Sequence, residues 1–446
     1  MPNQPIGPTA SCTVLARLGA MLTRDRIRRY PLILFVVTVG LYLTGLARSR
    51  GWVEPNGQIV GRDYLAFYMA GDMVNRGQAE QLYQPAAQSE YQKRFMASIS
   101  PGWSGTCLYL NPPHYAWAMS FLARLGYGAS LIVWWVLSAG CFVATVVLWR
   151  RWLSPSPWGT VVLLAVCMPA WFQAFAGGQN SFFSLLILTA FCGLLMTGRD
   201  FAAGLVLSLL AYKFQFLILP SVLLLCTRRW RAVAGLALGG AAALVLTAGV
   251  LGLQSVHNYV TFGLQLDRLM AVEGFDVYKQ QSWYGCLTLL GKGWLSPSIV
   301  GTLKTLACFA TLYPLGVVWR SRWSPGSPQF ALQLSALMVA TLLTSPHLFH
   351  YDMLLATLPA VLWWRATRDP DIGSATTGVR IVLAAGFAWL AISGPVAEVA
   401  HVQLSAPLMF AWLVLVSRVL SPAAANSTLS ATPATVPCPA ASRPVA

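Results

Sequence analysis

Asp200-Phe-Ala-Ala-Gly-Leu-Val-Leu-Ser-Leu-Leu-Ala-Tyr-Lys213-Phe-Gln-Phe-Leu-Ile-Leu-Pro-Ser-Val-Leu-Leu-Leu-Cys226, closed by Thr227-Arg228-Arg229-Trp230-Arg231, decides the class of this chain. From Ala202 to Leu225 a single charge, Lys213, interrupts an apolar run, and a cluster of arginines ends it. A lysine at the centre of a spanning helix costs about 3 kcal/mol on insertion scales. It is tolerated where a break lets it snorkel, or where an anion pairs with it. Both readings stay open.

The same pattern repeats along the chain. Of 446 residues, 56% are hydrophobic and only 10% are charged, and mean hydropathy is +0.60. Soluble domains carry about a quarter charged residues, so the composition is that of a polytopic membrane protein. The net charge of +16 sits in short basic groups at segment ends: Arg28-Arg29, Arg150-Arg151, Arg228-Arg229 with Arg231, Arg320 with Arg322, Arg365 with Arg368, and Arg418. Such pairs orient helices in a bilayer; they form no nucleic-acid-binding patch. Nine cysteines occur without CxxC spacing, and most lie in apolar runs, where thiols act as small hydrophobes. Cys107 and Cys286 fall in outward loops, where a disulfide between them is one open alternative.

A crossing takes roughly 20 apolar residues, fewer inside a bundle. Twelve segments qualify: 31–47, 129–149, 158–175, 181–198, 201–212, 214–227, 232–253, 297–319, 329–345, 352–365, 380–397 and 404–420. Residues 1–30 read as a cytoplasmic basic arm, and 421–446 as a disordered cytoplasmic tail in which Asn426-Ser427-Thr428 is a chance match to a glycosylation acceptor. Pro112 to Leu125 is apolar but short. If it crossed, Arg150-Arg151 and the Arg228 cluster would land outside, so a dip and return is the favoured reading, with a full span as the alternative. This parity sends Asp63, Gly178-Gln179-Asn180, Lys213, the segment 255–296, and His347/His350 to one face, away from the cytoplasm.

On that face the first excursion, 48–110, is too long for a connector. It reads as two interfacial helices. One runs from about Tyr64 to Asn75, with Phe67, Ala70, Gly71 and Val74 on its buried side and Asp72 facing solvent. The other runs from Pro85 to about Ala97, burying Tyr91 and Phe95. Asp63, one of only fourteen acids, precedes the first helix, as an N-cap, a general base, or both. Gly177-Gly178-Gln179-Asn180-Ser181 is a glycine turn with an Asn cap, or a binding turn. His347 and His350 lack partner ligands with zinc spacing, which favours hydrogen bonding to a phosphate or hydroxyl. The segment 255–296, with Arg268, Asp276, Lys279 and Gln281-Ser282-Trp283, suits sugar stacking or an interfacial aromatic belt equally.

Asp63 followed by Phe67-Tyr68, Ala70-Gly71, Gly77 and Leu82-Tyr83 resembles the first external loop of GT-C glycosyltransferases of family 87. Asn111-Pro112-Pro113, Gly178-Gln179-Asn180, Ala203-Gly204-Leu205 running to Lys213, Gln281-Ser282, and Ser345-Pro346-His347 with His350 match in order, over roughly residues 30–420. The resemblance implies a GT-C-type bundle of about twelve transmembrane helices in a bacterial inner (plasma) membrane, with its site on the extracytoplasmic side. It implies a polyprenyl-phosphate sugar donor, mannose by preference, and a lipid or glycan acceptor; no cofactor is expected and the residues show no metal-ligand set, with metal dependence left open. Asp63 takes the family's catalytic-base role, and Lys213, His350 and Arg268 are expected at the donor phosphate. Tyr68, Asn111, His114, Gln179, Asn180, Gln281, Ser282 and His347 are expected at substrate. The chain departs from the family in His-Leu-Phe-His, where a tryptophan-containing version is common. A secondary transporter or flippase of a lipid-linked glycan is the rival, because transporters also use broken helices. A non-catalytic assembly subunit is the third reading.

Overall fold

Only a backbone that bonds to itself can sit in hydrocarbon, and the apolar stretches accordingly fold as helices. The computed structural model describes residues 10–100, 103, 105–153, 158–272, 276–321, 324–367, 369, 372 and 376–420. These form nineteen α-helices and no strand. In order, the first ten are α1 (Ala10–Met21), α2 (Arg24–Ala47), α3 (Arg62–Asn75), α4 (Pro85–Ile99), α5 (Pro113–Leu122), α6 (Tyr127–Leu153), α7 (Trp158–Val166), α8 (Pro169–Ala176), α9 (Ser181–Met196) and α10 (Asp200–Ser208). There follow α11 (Ile218–Cys226), α12 (Trp230–Leu251), α13 (Leu253–Val272), α14 (Trp283–Leu290), α15 (Pro297–Trp319), α16 (Pro328–Thr344), α17 (Thr357–Ala366), α18 (Thr376–Ala400) and α19 (Ser405–Val419). The chain is an all-α polytopic membrane protein.

Helices α2, α6, α12, α15 and α18 are each long and apolar enough to cross a bilayer, and α9, α16 and α19 are shorter apolar helices. Helix α16 is the centre of the bundle. Every residue from Phe330 to Leu343 is buried, the mark of a helix that is apolar all round. Prolines start α4, α5, α8, α15 and α16, where their missing N–H costs nothing. Ser296 and Ser327 cap α15 and α16 by accepting the N–H groups of Ile299 and Phe330.

Two units are bent. Helices α7 and α8 meet at 55° across Cys167-Met168. Helix α10 continues through a 3-10 segment, Leu209–Phe216, and then turns by 120° into α11. The expected spans 201–212 and 214–227 are therefore one hairpin-like unit, with Lys213 at the break. Arg229 closes its open end on Asp200 at 3.0 Å, which brings both limbs back to one side. The charge parity survives the correction, because up-and-back and two crossings end on the same face.

Further expectations change. Helix α2 begins at Arg24, capped by Thr23, so residues 24–30 belong to the spanning helix rather than to an arm; residues 1–9 and the tail 421–446 lie outside the described residues. Helix α3 is no surface helix: Tyr64 to Gly71 are buried, and a Cβ on Gly71 would fall 2.6 Å from the Met119 backbone of α5. Asp72 bonds Arg76 and the Tyr91 hydroxyl instead of facing solvent. Helix α4 buries Gln88, Gln92 and Met96, while Tyr91 and Phe95 are half-buried. Its two glutamines mimic a neighbouring strand. Gln88 accepts the Tyr109 N–H at 2.7 Å, and Gln92 accepts the Cys107 N–H at 2.8 Å while donating to its carbonyl at 2.5 Å. Much of the segment read as a polar loop, 255–296, is in α13 and α14, and Cys107 and Cys286 are both free thiols. Helix α5, ten residues and about 15 Å long, stops short of a crossing.

Helices α10 and α12 touch backbone to backbone. A Cβ on Gly204 would lie 1.8 Å from the Ala232 carbonyl oxygen, and one on Gly235 would lie 2.1 Å from that of Phe201. Gly204→Val should therefore destabilise the protein by about 3 kcal/mol, read as an earlier loss of monodisperse protein on heating in detergent. Gly240→Ala, with nothing within 4 Å, is the control. Equal melting of the two variants would contradict this crossing.

Candidate functional site

The polar exits that charge parity sends to one face meet in a single cavity of about 830 Å³. The start of α3, the 177–180 turn, the 3-10 break at Lys213, the segment 276–279 and the turn 347–352 all line it, closed on one side by α18.

Asp63 stands in the first turn of α3, with 23% of its side chain accessible, and lines the cavity. It is not an N-cap. That position belongs to Gly61, whose φ of +70° suits glycine, and no side chain caps the helix. The orphan N–H groups of Asp63 and Tyr64 instead donate to the Gly177 carbonyl at 3.0 and 3.2 Å. This docking is why two glycines stand at 177–178. A Cβ on Gly177 would sit 3.0 Å from the Asp63 carboxylate, and one on Gly178, at φ +68°, 2.7 Å from Tyr64 Cβ. Trp134 of α6 fixes the turn by donating to the Gly178 carbonyl at 2.8 Å.

Burial raises the Asp63 carboxyl above the ordinary aspartate range, opposed in turn by Arg62, the Gln179 side-chain amide, Lys279 and Lys213. The Arg62 guanidinium lies 3.9 Å from the carboxylate. Lys279 also lines the cavity, ion-paired with Asp276. Neither cation stood in the expected phosphate set. Arg62 was legible only as the neighbour of Asp63, and nothing in the sequence says that residues 276–279 fold back beside it.

Lys213 reaches the cavity but is not a lone cation. Its ammonium bonds the Asp352 carboxylate at 2.5 Å, and the two side chains are 8% and 2% exposed. The Ser181 hydroxyl donates to the same carboxylate oxygen at 2.7 Å. At Lys213 the backbone leaves the helix, at φ −131° and ψ 64°. Asn111 donates to the Tyr212 carbonyl left open there, at 2.9 Å. Tyr212 stacks on Tyr115, whose hydroxyl receives the Asn180 amide at 3.3 Å. So Asn111 and Asn180 line the cavity while bracing its frame, and the Asn180 side chain forms no helix cap.

His347 and His350 line the cavity, and His350 Nε2 is 3.0 Å from the Ser393 hydroxyl of α18. Burial, then Lys279, push the His350 pKa down to about 4, so it is a neutral hydrogen-bonding group rather than a cation. Four expected residues stay away from the cavity. The Tyr68 hydroxyl donates to the Leu125 carbonyl at 3.0 Å, in the packing of α3. His114 sits half-buried at the start of α5. Gln281 is wholly buried, donating its N–H to the Leu348 carbonyl at 2.7 Å and accepting from Ser405 at 2.5 Å, and Ser282 is buried at the N-cap position of α14. The Arg268 side chain lies outside the described residues.

The ion pair itself can be tested. Lys213→Met leaves Asp352 buried without its counter-charge, at a cost of about 3–5 kcal/mol. The double change Lys213→Met with Asp352→Leu should recover most of the lost thermal midpoint. A single variant that melts like the parent protein would show that the pair does not bear on the fold.

The sequence pattern of glycosyltransferase family 87 matches residues 109–346, more than half of the chain. The match takes in the 177–180 turn, the Lys213 break and the 276–279 segment; Asp63 lies before it, and His347 just after it. No curated protein and no solved structure gives a significant match. The family sets aside the transporter reading and makes the protein an enzyme that transfers a sugar. The chain belongs to glycosyltransferase family 87, as a multi-pass membrane protein.

Proposed function

We propose that the cavity transfers a sugar, mannose on the family resemblance, from a polyprenyl-phosphate donor to a hydroxyl of a lipid or glycan acceptor, with inversion. The observation that carries this reading is the Asp63 carboxylate, held on the cavity wall by the Gly177 carbonyl and raised in pKa by burial. The acceptor oxygen attacks the anomeric carbon as Asp63 takes its proton, and the bond from that carbon to the phosphate oxygen breaks. The polyprenyl phosphate leaves with both electrons of that bond.

Arg62 and Lys279 are the cations placed to receive it. They retain 35% and 23% side-chain exposure, whereas Lys213 is closed into its pair with Asp352. Lys213 adds its field at Asp63, and the neutral His350 and the His347 ring serve as hydrogen-bonding groups. The clustering of arginines at the opposite helix ends supports an extracytoplasmic site in a bacterial inner membrane. Activation of the sugar by a lipid phosphate requires no nucleotide.

Asp63→Asn should lower turnover by about 10²–10⁴-fold, measured as sugar released from a synthetic polyprenyl-phosphate sugar, with the thermal midpoint unchanged. Transfer that survives in a folded Asp63→Asn variant would remove Asp63 from the base role. The pH profile offers a separate check. A base works only when ionised, and the pKa is raised, so the acid limb should lie above the ordinary aspartate value of about 3.9. Arg62→Gln removes the largest opposing influence and should move that limb to still higher pH. A limb at or below the ordinary value, or one that Arg62→Gln leaves in place, would contradict the assignment.

A further inference from the structure

A second cavity, of about 900 Å³, lies between α2, α7, α17, α18 and α19. Its wall is apolar over most of its length, from Leu34, Leu164, Leu383, Phe387 and Trp412 among others. One end is different. Arg24 and Arg26 from the first turn of α2, and Arg380 from the start of α18, line it together with Thr160. Arg28 reinforces this end by donating to the Thr160 hydroxyl at 3.0 and 2.5 Å. Among the described residues, none of the three lining arginines is ion-paired and no carboxylate lines this cavity. The catalytic cavity, by contrast, is lined by Glu54, Asp63, Asp276, Asp352 and Glu398.

The length of the groove narrows the choice of occupant. It runs along α18 from Arg380 to Leu390 and Ala391, which also line the catalytic cavity. Ten helical residues rise about 15 Å, half of the roughly 30 Å hydrocarbon core. The occupant thus has an anionic head at the arginines and an apolar body one leaflet deep. Basic pockets between transmembrane helices recognise anionic lipid headgroups. A prenyl chain threading in from the catalytic end would fill the apolar part but bring no anion to the arginines.

We infer that this groove binds one anionic phospholipid of the leaflet opposite the catalytic cavity, its phosphodiester held by Arg24, Arg26 and Arg380 and its acyl chains reaching the wall formed by Leu390 and Ala391. The full chain, purified in mild detergent and stripped of lipid, would be titrated with phosphatidylglycerol and with phosphatidylcholine of the same chains. The readouts are the thermal midpoint and the bound lipid seen by native mass spectrometry. Phosphatidylglycerol should bind as a single retained copy and raise the midpoint more than phosphatidylcholine does. Arg24→Ala/Arg26→Ala/Arg380→Ala should weaken that binding at least about ten-fold, each basic residue near the headgroup contributing separately. If the triple variant misfolds, Arg380→Gln alone carries the same test, with a smaller loss expected. Equal effects of the two lipids, or arginine variants that bind like the parent, would overturn the site. So would displacement of the bound phospholipid by a prenyl phosphate to the same extent in parent and variant, which would assign the groove to a prenyl chain.

Discussion

The buried contact between Lys213 and Asp352 is the constraint from which the site is built. A charge in the middle of an apolar hairpin must find its opposite or leave the membrane, and here it finds it at 2.5 Å. The chain breaks its helix at Lys213 to make the contact, and Asn111 takes up the carbonyl that the break exposes. Asp352 in turn accepts from Ser181, the first residue of α9 and the end of the turn Gly177-Gly178-Gln179-Asn180-Ser181. The same turn holds the amide nitrogens of Asp63 and Tyr64 through the Gly177 carbonyl. Polar contacts at the two ends of one tight turn therefore link the intramembrane lysine to the candidate base. The paired and braced lysine is a fixed part of this frame, in contrast to the accessible Arg62 and Lys279.

The cavity's charges divide by that distinction. Among the described residues, five carboxylates and three cations line it, so the anionic donor of the proposed reaction would meet an acidic wall. Arg62 and Lys279 relieve it near Asp63 and lower the cost of ionising that carboxyl. In the proposed reaction the same two groups would receive the departing phosphate, so the proton acceptor and the leaving group would draw on one pair of cations. The apolar groove on the far side of α18 has the opposite character, with arginines and no carboxylate among the described residues of its wall. One helix thus separates a polar compartment from one suited to lipid, and Leu390 and Ala391 belong to both.

Much of this is legible in the chain alone. Apolar runs ending in arginine pairs place Asp63, Gln179, Lys213 and His350 on one face, and they do line one cavity. The double glycine at 177–178 is visible, and a turn is the right reading, but the reason for it is not. The glycines admit the start of α3, a contact between residues more than a hundred positions apart. Asp63 cannot be told from a cap by its neighbours alone, since an acid just before an apolar helix looks the same in both roles. Helix α3 reads as a surface helix because its polar flanks outweigh the apolar residues that pack against α5. Tyr68 and Gln281 mislead for a related reason: buried structural hydrogen bonds use the same side chains as substrate recognition, and Ser282 is simply buried at the start of α14.

The sequence by itself determined the class of protein, the positions of its main apolar segments, and the common face of its polar exits. Each of these follows from local composition, which sets the cost of placing a segment in lipid. Only the tertiary structure decided which charges neutralise each other. Lys213 is committed to Asp352, Lys279 comes to Asp63 from a segment more than two hundred residues away, and Arg24, Arg26 and Arg380 gather on a groove wall that Asp25, their neighbour in the chain, does not join. Electrostatic pairing depends on distance and burial in space, and neither is encoded in the spacing of residues along the chain.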